Sequence, residues 1–252
     1  MKKLSGILSL TIVLAGFSFL TSCNNTSASS GSNFEGVVSY EIKSDSGLPP
    51  EAEAMFKNVE MKTFVKGNLT RSEEKMAGYN TVILSDSKTP DDPTMLINMF
   101  NHKYAVKLTD SLKKIAAAST PKIEYIDSAN ATKQIAGYAC KKAKITVTLP
   151  NSPAPITSYV YYTTDLPYAD PKGQFKGLKG MPMEFTISMA SINLTIEAKS
   201  VEKKTLADSL FNVPADYKQT TIADMEKDLM KSMPAQNQNP GSDSAAGSNG
   251  TK

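Results

Sequence analysis

Ala143-Lys144-Ile145-Thr146-Val147-Thr148-Leu149 alternates apolar and polar residues without a break. A period of two sends Ala143, Ile145, Val147 and Leu149 to one side of an extended chain and Lys144, Thr146 and Thr148 to the other. That is the pattern of a strand buried on one face only. Pro150, Pro153 and Pro155 close the run. Ser158 to Thr163, with Tyr159, Tyr161 and Tyr162, reads as its antiparallel neighbour. Met183 to Met189 and Ile192 to Val201 read as a last hairpin with Ile192, Leu194 and Ile196 on one face. Between the two pairs, Pro167 to Pro182 is a loop rich in glycine and proline.

The same alternation runs toward the N-terminus. Phe34 to Ile42 is a half-buried strand, broken by Gly47 and Pro49-Pro50. Glu51 to Lys57 has the leading proline and early acids of a short helix. Met61 to Lys66, Leu69 to Met76, Thr81 to Leu84, Met95 to Phe100 and Tyr104 to Leu108 form a meander, with turns expected at Gly67-Asn68 and Asn101-His102. Asp110 to Ala118 reads as a helix, and Thr132 to Ile135 opens the second half and leads into Gly137-Tyr138. Thr221 to Met233 is a helix with Ile222, Met225, Leu229 and Met233 at helical spacing, opened by a Thr221/Asp224 capping pair. About nine strands and few short helices predict a mainly β (α+β) fold: one antiparallel sheet that curls into a half-barrel, with helices on its concave side. The inward set is then Ile145, Val147, Leu149, Ile192, Leu194 and Ile196, the candidate lining of an apolar cavity.

The two ends have a different character. Lys2 and Lys3, the apolar run from Ile7 to Leu20 and the small residues before Cys23 have the order of a secretory signal. The run is shorter than the ~20 residues a membrane span needs. Leu20-Thr21-Ser22-Cys23 resembles the lipobox of bacterial lipoproteins. That resemblance implies cleavage before Cys23, lipid on its sulfur and its new amino end, and a membrane as the partner reached through that lipid. The expected organisation is a signal peptide over 1–22, a flexible tether over 23–33, one β-domain over 34–234 and a disordered tail over 235–252.

Composition removes several classes of function. The chain has 28 basic and 25 acidic residues. Without the signal's two lysines the balance is close to neutral, which argues against nucleic acid as a partner. Of the two cysteines, a lipidated Cys23 leaves Cys140 alone, so no internal disulfide is expected.

Phe34-Glu35-Gly36, the Ile135-to-Lys142 block with Gly137-Tyr138-Ala139-Cys140-Lys141-Lys142, Lys176-Gly177-Leu178-Lys179-Gly180-Met181-Pro182-Met183-Glu184 and Phe211-Asn212-Val213-Pro214-Ala215-Asp216-Tyr217 occur in that order. Together with the lipobox they resemble a family of Bacteroidetes envelope lipoproteins without an assigned activity. The resemblance implies an architecture of the LolA/LppX type, a curved sheet around an apolar cavity that holds acyl chains or lipidated proteins. Tyr stands here where that family has a Trp, in Tyr159-Val160-Tyr161-Tyr162. Asn24 and Asn25 after the cysteine, with no acidic cluster, imply the outer membrane and its periplasmic side.

Candidate chemistry is sparse. His102 is the chain's one histidine and has no recognisable Ser or Asp partners. No cofactor is implied, and no metal set stands at ligand spacing. Met181, Met183 and Met189 fit either soft-metal ligation or, more commonly, core packing. Cys140 beside Lys141 and Lys142 is either a reactive thiolate or a buried structural thiol, and burial is the commoner fate. Asp91-Asp92 reads as a solvated turn. Ser128, Ser209 and Ser244 each follow an aspartate in triplets resembling the O-glycosylation sequon of exported Bacteroidetes proteins, although Asp-Ser pairs also serve as turns and caps. The expectation is a non-enzymatic, lipid-anchored protein that binds an apolar ligand. The rival is a structural or interaction lipoprotein with a filled core.

Overall fold

The computed structural model describes residues 34–44, 53, 56, 58–89, 92–107, 121–126, 131–148, 155–168, 175–189 and 192–232. The signal over 1–22, the tether with Cys23, the tail over 235–252 and the helix expected at 110–118 lie outside them, as do Leu149, Ser128 and Ser244. Of the helix expected at 51–57, Glu53 and Phe56 are described, both helical.

The strands in chain order are β1 (Glu35–Ser44), β2 (Glu60–Lys66), β3 (Leu69–Met76), β4 (Tyr79–Asp86), β5 (Thr94–Met99), β6 (His102–Lys107), β7 (Lys122–Ile126), β8 (Thr132–Ile135), β9 (Tyr138–Val147), β10 (Ile156–Thr163), β11 (Met181–Met189), β12 (Ile192–Lys203) and β13 (Lys218–Thr220). A 3-10 turn (Asp208–Phe211) follows β12, and one helix, α1 (Ile222–Ser232), closes the described chain. All thirteen strands join one open, curled sheet in the order β13-β6-β5-β4-β3-β2-β1-β12-β11-β10-β9-β7, with β8 paired to β9. The sheet is mixed, which corrects the expectation of a purely antiparallel one. β13 runs parallel to β6 because the chain leaves β12 and crosses the sheet before it re-enters at the far edge. The expected set of several helices on the concave side reduces, among the described residues, to α1 and the helical pair Glu53 and Phe56.

Registers show which side chains share a face. One row of directly opposed residues runs Ala198, Tyr40, Met61, Glu74, Thr81, Ile97, Tyr104 from β12 to β6. On this inward face one cluster packs Ala143, Ile145, Val147, Val160, Phe185, Leu194 and Ile196 beneath Phe56, Phe175 and Leu178. A second packs Met95, Ile97, Met99, Tyr104 and Val106 against Met225 and Leu229 of α1. The opposite face of the same end is also covered: Val82, Leu84, Leu96 and Ala105 meet Val213 and Tyr217. α1 starts as its sequence demands, with the Asp224 amide donating to Thr221 Oγ1 at 3.2 Å.

Two glycines of the quoted motifs are required by close backbone approach. A Cβ on Gly36 would run into the Glu202 carbonyl oxygen, and one on Gly180 into that of Thr163. The β5–β6 turn is Phe100-Asn101, one residue earlier than expected. Both have positive φ, and His102 pairs with Met99. Inward packing of Ile97 and Met99 opposite Tyr104 and His102 fixes the register, and the turn takes what is left.

Candidate ligand cleft between β1 and β2

β1 is paired unequally on its two sides. Its ladder with β12 continues to Ser44 opposite Leu194, whereas its ladder with β2 stops at Tyr40 opposite Met61. From Glu41 onward β1 has no ladder partner on its β2 side among the described residues. The chain before β2 turns away there, with the Val59 amide donating to the Phe56 carbonyl at 3.2 Å. The gap is a cleft of about 480 Å³.

Alternation gives this cleft two kinds of wall. Tyr40, Ile42, Phe56, Val59 and Met61 form the inner part and pack against the main core cluster. Ser39, Glu41, Lys43, Glu60 and Lys62 alternate with them on the outer part, and Glu53 and Lys199 complete the lining. The inner wall is firmly held: the Tyr40 hydroxyl donates to the Pro182 carbonyl at 3.0 Å and its ring meets Phe185 edge-on at 6.3 Å. Burial pushes the Tyr40 phenol well above its ordinary value, so it stays neutral. On the rim, Lys43 reaches Glu197 at 2.7 Å and Glu41 at 3.0 Å, and Lys62 reaches Glu60 at 3.0 Å. A second cleft of about 570 Å³ at another part of the sheet is lined mainly by polar residues, including Glu35, Asp165, Lys203 and Lys204.

The candidate lining residues meet, but behind the cleft. Ile145, Val147, Leu194 and Ile196 are all buried in the cluster on which Tyr40, Ile42 and Met61 rest. Ile192 sits in β12 opposite Met189. The residues that do line the cleft were signalled only indirectly, by the Pro49-Pro50 break and the long connection from β1 to β2. Alternation says which way a strand faces and not where its ladder ends.

The remaining candidates fall into ordinary structural places. Cys140 is buried, its thiol donates to the Tyr138 carbonyl at 3.4 Å, and burial pushes it up to about 11. Cys140 and Ala143 are three residues apart in a strand of unbroken register, so they lie on opposite faces and both are buried. Lys142, on the same face as Cys140, lies over the Tyr159 and Tyr161 rings. Met181 and Met183 are fully buried in a cluster with Val38, Val65 and Cys140. His102 stacks on Tyr104 at 6.1 Å. Asp92 pairs with Lys107 at 3.5 Å. Ser209 is exposed on the 3-10 turn. Among the described residues no group of His, Cys, Asp and Glu could hold a metal, and no helix is long and apolar enough to cross a membrane.

Comparison with known proteins supplies a fold and a family. The structure of PNGF-II matches at a TM-score of 0.50 and 16% identity over 79% of this chain. The chain spans only 33% of that protein's length, so the likeness is one of fold alone. Structures of the LppX type are among the matches. LppX of Mycobacterium tuberculosis matches at 8% identity, over 69% of this chain and 90% of its own, with a TM-score of 0.29. LprF of Mycobacterium bovis matches at 13%, over 73% and 90%, with a TM-score of 0.29. No curated protein sequence matches. The family model described as Domain of unknown function (DUF4412) matches residues 34–160, half of the chain, and the chain belongs to that family.

Proposed function

We propose that this protein is a lipid-anchored envelope protein that takes an apolar ligand, a lipid or an acyl chain, into the cleft between β1 and β2. The observation that carries the reading is the early end of the β1–β2 ladder. It opens a cleft of about 480 Å³ whose inner wall is Tyr40, Ile42, Phe56, Val59 and Met61. That size lies within the ~300–1,000 Å³ of small-molecule sites, and an apolar interior with a few polar groups at the mouth is their usual composition. Among the described residues the lining is apolar within and charged at the mouth, which is read as the composition of a binding site. In this reading the chain is cut before Cys23, which holds it to the outer membrane on the periplasmic side. Residues 23–33 give reach, 34–234 bind, and 235–252 stay free.

Native mass spectrometry of freshly purified against delipidated protein tests the binding. A lipid-sized adduct in the fresh sample, lost on delipidation and absent from Met61→Trp, is the expected result. A clean apo mass, with no uptake of a fluorescent fatty acid, would favour the filled-core structural reading. The density of the core around Leu194 and Ile196 is the observation that keeps that rival in view. The anchor is tested separately: Cys23→Ala should release the protein from washed membranes, because stable attachment needs more than one chain.

A further inference from the structure

The register of β1 against β12 is interrupted at one place. Ser39 pairs with Ser200 and Tyr40 with Ala198, so Lys199 is an extra residue with no partner across the ladder. A bulge of this kind re-aims a side chain that regular pairing would fix. Lys199 lines the cleft beside Ser39. It also differs from the other two lysines there. Lys43 is held by Glu41 and Glu197 and Lys62 by Glu60, while among the described residues Lys199 has no ion-pair partner. Glu53 also lines the cleft and would repel an anion placed against it.

Resting on the cleft reading above, we infer that the ligand is an amphiphile with one acyl chain and an anionic headgroup, and that Lys199 is the residue that binds the head. The chain enters past Ile42, Val59 and Met61, and the head stays at the β12 side of the mouth, where Lys199 is an ammonium without a counter-charge among the described residues. Ser39 adds a hydroxyl donor at the same point. The site is wet, so the charge gives selectivity among ligands of equal chain length, and most of the affinity comes from the buried chain.

The test uses the full-length purified protein after delipidation, with a saturated fatty acid and the methyl ester of the same acid as competitors for a fluorescent acyl probe. The wild type should prefer the acid by about fivefold, the scale of an exposed ion pair, and the preference should shrink as salt is raised. Lys199→Met should bring the acid to the affinity of the ester and leave the ester unchanged. Lys199→Arg should keep the preference. Equal competition by acid and ester in the wild type, or an undiminished preference in Lys199→Met, would overturn the inference and leave the cleft reading standing. Failure of both competitors to bind would overturn the cleft reading itself, and the assignment of Lys199 with it.

Discussion

Along Ala143–Val147 of β9 and Leu194–Ala198 of β12 the sheet buries one face, and across β4–β6 it buries both. In β9 the buried residues Ala143, Ile145 and Val147 are separated by half-buried Lys144 and Thr146. The outer face there carries charge: Lys133 bridges Glu184 and Glu197, and Lys142 covers two tyrosine rings. In β5, Met95, Leu96 and Ile97 are buried in succession. α1 covers the first and third of them, and Val213 and Tyr217 cover the side of the second. Strict alternation therefore marks a strand with one cover, and a continuous apolar run marks one with two. The segment that follows β12 makes the difference by crossing the sheet and returning as β13 and α1.

The comparison breaks first where packing is densest. Leu194→Ala, in the one-faced wing, should cost ~2–5 kcal/mol, because Leu194 is buried in one cluster with Phe185, Ile196 and Phe56 and its removal leaves a void among them. Leu229→Ala, under the single helix α1, should cost less, since a helix held on one side can shift toward the gap. Denaturant midpoints of the two variants check the order. Equal losses would show that the two wings pack alike.

Between the wings the inward face turns polar, and a pH titration sharpens the contrast there. Glu74 faces inward between Met61 and Thr81, and burial raises its carboxyl from 4.5 to about 7. A raised value means the fold favours the protonated acid. Its contribution is complete below pH 4.5 and is lost as pH rises through about 7. Glu197, on the outer face, is lowered to about 2 by hydrogen bonds from Glu184 first, then Lys133 and Lys43. Its contribution has the opposite sign, present above pH 4.5 and lost as pH falls toward 2. Glu74→Gln should remove the decline in melting temperature above pH 4.5, an effect on the order of 1–3 kcal/mol at neutral pH. An unchanged profile in that variant would place Glu74 in water.

The smallest effect belongs to the helix cap. Thr221→Ala removes the acceptor for the Asp224 amide and should cost about 1 kcal/mol. The loss should appear as earlier amide exchange in α1, with β9 to β12 untouched. Exchange that rises equally in both wings would mean that they unfold as one unit.

Most strands were legible because their packing is one-faced or continuous, and both leave a pattern in sequence. β7 was not. Lys122-Ile123-Glu124-Tyr125-Ile126 is a short edge strand whose charges guard the end of the sheet, and they mask its alternation. β13 has three residues and exists only because α1 and the crossing segment bring it to β6. The cavity candidates Ile145, Val147, Leu194 and Ile196 were grouped from periodicity, and the structure packs them together. The cleft itself was hidden. It depends on where one ladder stops and where another slips at Lys199, and these are properties of pairing between distant strands that no single stretch records.

Photolabelling tests the central claim most directly. A fatty acid carrying a diazirine near its tail, bound to the delipidated protein and irradiated, should modify the peptides that hold Ile42 and residues 56–61. An excess of unlabelled fatty acid should suppress that labelling, and Met61→Trp should abolish it. Labelling that does not saturate, or that maps to the other cleft around Phe34 and Leu166, would contradict the assignment of the β1–β2 cleft as the ligand site.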